Sequence, residues 1–173
     1  PLAIWLLEKL IKKDMKPGLI CSGYRSKAKS PQEVLIDSKV SNVGDEALMI
    51  KLSFQRRHNI NIPIFVGKKK AQVGIALLNA YPDIDILISD DGLQHYELLR
   101  DFEIVVIDED RRFGNKFLIP TGPLREPKTR LNKVDAVIVN SETLKVSKSG
   151  YGMTYFGGAL VNCLQSNHIS ELD

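Results

Sequence analysis

Ile84-Asp85-Ile86-Leu87-Ile88-Ser89, continuing into Asp90-Asp91-Gly92-Leu93-Gln94-His95, is the stretch on which the fold turns. Its first six residues are mostly apolar and β-branched and follow the breaker Tyr81-Pro82-Asp83, so they read as a buried strand. In open α/β sheets, ligands bind outside the carboxyl ends of the strands. The plain account of Asp90-Asp91-Gly92 is a solvated turn. The chemical account is a Mg²⁺ ion, a hard cation that takes oxygen ligands and keeps waters beside substrate phosphates. Adjacent carboxylates at a strand end have the layout found in nucleoside-triphosphate enzymes.

On both sides of this stretch, apolar runs alternate with helical patterns. Leu19-Ile20-Cys21-Ser22, Pro63-Ile64-Phe65-Val66, Glu103 to Asp108 and Asp135 to Asn140 read as further strands, with Val34 to Asp37 as a short one. Pro1 to Lys13, Asp45 to Arg57 and Lys68 to Ala80 read as helices, and Trp5 is expected in the core. The segment from Tyr151 to Gly158 reads as an edge strand or a connector. Strands that are apolar throughout and alternate with helices predict an α/β fold with a mainly parallel sheet covered by helices on both faces.

The 173 residues carry 43% hydrophobic and 26% charged side chains, ordinary for a globular chain. A net charge of +3 suits phosphates or an anionic membrane face but is too small to argue for nucleic acid. Cys21 and Cys163 are far apart and give no disulfide framework, so a reducing cytosol is the default. No apolar stretch approaches the ~20 residues of a spanning helix.

Three other clusters carry possible chemistry. Val43-Gly44-Asp45-Glu46 puts two carboxylates in a first helical turn, where they complement the helix dipole or where one could take a proton from a substrate hydroxyl. Ile119-Pro120-Thr121-Gly122-Pro123-Leu124-Arg125-Glu126-Pro127 holds an Arg-Glu pair between proline turns. Arg125 there could clamp a phosphate and Glu126 could complete a metal site. Lys68-Lys69-Lys70 follows Gly67 at a helix start, where phosphate can meet helix N–H groups, although charge runs are more often solvated faces. A lone His95 is usually structural, and its role stays open.

Together with Leu99-Arg100-Asp101, Arg112-Phe113-Gly114-Asn115 and Val134 to Asn140, these motifs resemble the tetraacyldisaccharide 4′-kinase family, the lipid A kinases of Gram-negative bacteria. The likeness runs from about residue 1 to 141. It implies a P-loop NTPase-like kinase that moves the γ-phosphate of ATP onto the 4′-hydroxyl of a lipid A disaccharide precursor. The place implied is the cytoplasmic face of the inner membrane. By motif, Asp45 matches the catalytic aspartate and Arg125 the arginine of the active-site loop. Asp90, Asp91 and Glu126 match groups that serve Mg²⁺. Lys70 and Glu46 fall with the ATP site and Tyr24 with the sugar site.

The likeness is incomplete. The family's phosphate loop would end just before Pro1, with its membrane-binding helix upstream, and no Asp-His motif appears before Asp173. Cys21-Ser22 replaces Ser-Arg, and Lys70 stands where arginine is common. The expectation is therefore a core over residues 1–145, incomplete at its start, then a connector or a truncated second lobe over 146–173. Contact with the anionic inner membrane would run through segments outside this chain, and no nucleic-acid partner is expected. The alternative is a catalytically inactive relative that binds Mg²⁺ or the lipid sugar without phosphoryl transfer.

Overall fold

The computed structural model describes residues 2–23, 30–141, 150–154, 160–161 and 169–170. The chain divides into two compact units, Pro1–Leu99 and Arg100–Asp173. The boundary expected near residue 145 lies outside the described residues.

The first unit is built around β1 (Pro17–Cys21), whose five residues are all buried. Helix α1 (Leu2–Ile11) leads into it, and β2 (Gln32–Glu33), α2 (Val40–Val43) and α3 (Asp45–His58) follow. Next come β3 (Ile64–Val66), α4 (Lys70–Ala80) and β4 (Ile86–Ser89). The sheet order is β2-β3-β1-β4. Both β3 and β4 run parallel to β1, while β2 is an antiparallel edge. The chain thus leaves β1 for β3 on one side and then crosses to β4 on the other. That reversal opens a crevice at the carboxyl ends of the strands.

Alternation along β1 and β3 splits the core between the two faces of the sheet. Leu19, Cys21, Ile64 and Val66 pack with Leu7 of α1 and Leu48, Ile50 and Phe54 of α3. Ile20 and Phe65 point the other way, onto Val73 and Leu77 of α4. Each such side chain contributes about 1.5–3 kcal/mol when fully removed from water. Gly18 lets α4 pack closely, since a Cβ there would stand 2.9 Å from a Leu77 methyl and require that side chain to shift. Lys51 is also inside, and its Nζ donates to the Ile62 carbonyl at 2.7 Å.

Two expectations change. Val34 to Asp37 is not a strand. Val34 gives its N–H to Ile64 O at 2.8 Å, but the Ser38 N–H returns to Leu35 O at 3.1 Å and turns the chain. Pairing instead uses the polar residues Gln32 and Glu33. Trp5 is not in the core. It is 52% exposed on the outer face of α1, with Lys9 Nζ 5.5 Å from its ring centroid.

In the second unit, β5 (Ile104–Asp108), β6 (Ala136–Asn140) and β7 (Tyr151–Met153) form a parallel sheet in that order. A short antiparallel pair, β8 (Leu160–Val161) and β9 (Ile169–Ser170), comes after it in the chain. A 3₁₀ helix, Lys128–Lys133, leads into β6. Among its described residues this unit contributes no α-helix of its own.

Candidate active site

The carboxyl edge of the first unit's sheet gathers the chemistry. Asp90 leaves β4 with its N–H on Ile20 O at 3.0 Å, which ties the acidic turn to the end of β1. Asp91 then takes a left-handed conformation, φ +50°. Gly92 completes the turn, and a Cβ there would lie 2.6 Å from Ser89 Oγ. That hydroxyl is buried and has no hydrogen-bond partner among the described residues. Asp90 is half-buried and Asp91 exposed.

Lys70 reaches this turn from the first residue of α4. It is 1% exposed, and its Nζ donates to Ile20 O at 3.2 Å and, more closely, to Asp90 O. Burial pulls its ammonium below the usual lysine range, while Cys21, Asp90, Asp91 and Glu46 act in the opposite direction. Burial likewise pushes the Cys21 thiol up to about 12. A carbonyl-bound, buried ammonium was not legible in the sequence, where Lys70 is one of three consecutive lysines. Lys68 and Lys69 are exposed. They line a cavity of about 380 Å³ with Lys70, Gln94, His95 and Tyr96.

Asp45 and Glu46 open α3 and are both exposed. Gly44 precedes them at φ +86°, and Asp45 Oδ1 accepts the Glu46 N–H at 2.9 Å. Both carboxylates face water in the first turn of α3, where they complement the helix dipole. Glu46 acts electrostatically on the buried Lys70, raising its pKa against the effect of burial. Within this unit, Lys70, Asp90 and Asp91 come together at the ends of β1 and β4.

The donor chemistry fits Mg²⁺. That ion is bound through one or two carboxylates, with waters and substrate phosphates completing its octahedron. Asp90 and Asp91 supply such a pair at the strand end. Among the described residues no group of three or more His, Cys, Asp or Glu gathers as a ligand cluster.

Arg125 and Glu126 belong to the second unit. Their loop is internally bonded: Asn115 Nδ2 donates to Thr121 O at 2.8 Å, and Ile119 N–H to Leu124 O at 2.9 Å. Arg125 is exposed. Glu126 lies 3.3 Å from Arg130 Nε, and Arg130 Nη2 donates to both Glu103 carboxylate oxygens at 2.6 Å. Arg100 adds a further bond to Glu103 at 2.8 Å. This cluster escaped sequence reading because its members are spread from Arg100 to Arg130, with no spacing that marks them. Tyr24 lies outside the described residues.

A family model for tetraacyldisaccharide-1-P 4′-kinase matches residues 1–166. A tetraacyldisaccharide 4′-kinase of Methylobacillus flagellatus is 46% identical over 140 residues, 81% of this chain and 40% of that protein. Those of Chromobacterium violaceum and Shewanella halifaxensis are 45% and 46% identical over 142 and 140 residues. The chain thus spans about 40% of the length of these relatives. The crystal structure of LpxK from Aquifex aeolicus in complex with ATP aligns with 92% of this chain and 50% of its own, at TM-score 0.71 and 21% identity. That likeness carries the α/β kinase fold. From the sequence match and the shared architecture, this chain belongs to the tetraacyldisaccharide-1-P 4′-kinase family.

Proposed function

We propose that this chain forms the central part of a lipid kinase that transfers the γ-phosphate of ATP to the 4′-hydroxyl of a tetraacyldisaccharide 1-phosphate, a step of lipid A biosynthesis. The observation that carries the reading is the carboxyl edge of the first unit's sheet. Asp90, Asp91 and the buried Lys70 come together there, and Glu46, next to Asp45 at the α3 start, acts electrostatically on Lys70, in a chain whose family is named for that reaction. Phosphoryl transfer asks a protein mainly to position groups and balance charge. An exposed Asp45 at a helix start is suited to accept the hydroxyl proton as the sugar oxygen attacks. Asp90 and Asp91 would hold Mg²⁺, which when bound neutralises charge on the transferring phosphates. Arg125, in its rigid loop, supplies a planar cation for the same charge, and Glu126 is assigned to the metal side of the site. Glu46 and Lys70 are assigned to the nucleotide end and Tyr24 to the sugar.

The reaction places the protein at the cytoplasmic face of the inner membrane, where the lipid precursor would be presented. No helix among the described residues is long and apolar enough to cross a membrane, in keeping with peripheral attachment. The test is phosphate transfer from ATP to the tetraacyldisaccharide 1-phosphate. It is measured with the protein encoded by the complete gene, with the 173-residue chain assayed beside it. Asp91→Asn should lower turnover by about 10²-fold or more and raise the Mg²⁺ requirement. Asp45→Asn should lower turnover by about 10²–10⁴-fold with ATP affinity little changed. Unaltered Mg²⁺ dependence in the first variant, or near-normal turnover in the second, removes that residue from its role.

A further inference from the structure

The Lys70 ammonium is turned inward, onto main-chain oxygens, and not out toward solvent. Only 1% of the residue is exposed, and its ammonium lies against two main-chain oxygens, Ile20 O on β1 and Asp90 O just past β4. Those strands are neighbours, with Ile20 paired in register to Ser89. A lysine ammonium has three donors. Spending two of them on these carbonyls pins the ends of both strands at the point where the acidic turn departs. The Asp90 N–H on Ile20 O, at 3.0 Å, makes Ile20 O a shared anchor. The next residue, Asp91, then enters the left-handed region at φ +50°, which aspartate visits more readily than most side chains.

We propose that Lys70 is a positioning residue for the acidic turn: its buried ammonium ties the carboxyl ends of β1 and β4 together and so sets the direction of the Asp90 and Asp91 carboxylates, without touching the nucleotide. The assignment rests on the reading of Asp90 and Asp91 as the metal-binding pair, and it replaces a nucleotide contact by Lys70 with an indirect role. A compact ammonium on a flexible stem suits this place, since it fits between two carbonyls in the angle between adjacent strands. The bare positive charge does not explain the arrangement. A cation beside two carboxylates weakens their pull on a divalent metal, so charge alone would make Lys70 a hindrance to the metal site.

That sign gives a clean experiment. Mn²⁺ alone, as a spectroscopic stand-in for Mg²⁺, is titrated by electron paramagnetic resonance into the wild-type chain, Lys70→Met, Lys70→Arg and Asp91→Asn. Positioning predicts that Lys70→Met binds Mn²⁺ about 10-fold more weakly, the lower end for loss of a group that orients a metal ligand. It predicts that Lys70→Arg, which can still donate to both carbonyls, recovers most of the affinity. Tighter Mn²⁺ binding by Lys70→Met would mean that only its charge was felt, and unchanged binding would mean that it orients nothing. Either overturns the proposal. Full Mn²⁺ affinity in Asp91→Asn would instead sink the metal reading of the acidic pair. A second measurement needs no variant: acetic anhydride labelling of the wild-type chain with and without Mg-ATP, read by mass spectrometry. Lys70 should stay unmodified in both conditions while Lys68 and Lys69 react. A reactive Lys70 that ATP protects would make it a nucleotide contact and refute positioning.

Discussion

A methyl group on Gly92 would stand 2.6 Å from the Ser89 hydroxyl and 3.3 Å from the Ser89 carbonyl oxygen. Ser89 Oγ is buried, so it cannot swing into solvent to make room. Gly92→Ala should therefore cost about 1–3 kcal/mol by overpacking, read as a lower midpoint in urea unfolding. Ser89→Ala removes the nearest atom, and in the double variant part of that loss should return, because contacting residues do not add. Full additivity would show that the turn moves as a whole and that Gly92 serves some other need. At this scale the sequence marked both the acidic pair and the lysine run but did not show which lysine turns inward. Asp90 and Asp91 stood out because paired acids after an apolar run have no packing role. Lys70 did not, since three lysines at a helix start look alike until the fold turns one inward and leaves Lys68 and Lys69 in water.

Elements whose residues repeat a pattern were readable, and those held by a few side chains were not. The apolar runs that became β1, β3 and β4 and the period that became α4 followed from burial on both faces. The edge strand β2 has only Gln32 and Glu33, with no pattern to find, and it is held from outside. Tyr81, the residue capping the end of α4, donates its hydroxyl to Glu33 Oε1 at 2.5 Å and stands edge-on to Phe65, 6.3 Å between centroids. Tyr81→Phe should keep the ring contact and lose about 1–2 kcal/mol, the worth of a hydrogen bond to a charged acceptor. The same bond pushes the Tyr81 hydroxyl up to about 12, with the Glu33 hydrogen bond the leading cause and burial next. A raised acid contributes its stability fully below the unfolded value near 10 and loses it as pH rises through about 12. The gap between wild type and Tyr81→Phe should be constant from about pH 7 to 9 and close above about pH 10. A gap that does not narrow would show that the phenol hydroxyl is not the source of the difference.

Over the whole chain, the contacts gather into two units divided after Leu99, a division within the core expected over residues 1–145, whose own boundary lies outside the described residues. The division was hidden because β5 and β6 are as apolar as β1 and carry the same parallel signature. What distinguishes the second unit is the way it is fastened. Glu103, just before β5, receives Arg100 at 2.8 Å and both bonds of Arg130 Nη2 at 2.6 Å, and Arg130 also lies 3.3 Å from Glu126. These side chains are 12–21% exposed, so water screens them only in part. Arg130→Met keeps the stem and leaves Glu103 and Glu126 short of a cation, at a cost of about 2–3 kcal/mol. Arg130→Lys, without the planar fork, should recover only part of that. The single tryptophan, Trp5, lies in the first unit and separates local from global damage. Circular dichroism follows both sheets, while Trp5 fluorescence follows α1 and its surroundings. In urea, the Arg130→Met ellipticity midpoint should fall while the Trp5 midpoint stays with wild type. An equal fall in both would mean that the two units unfold as one cooperative body, and that the Glu103 cluster stabilises the acidic turn at Asp90 as well as its own strands.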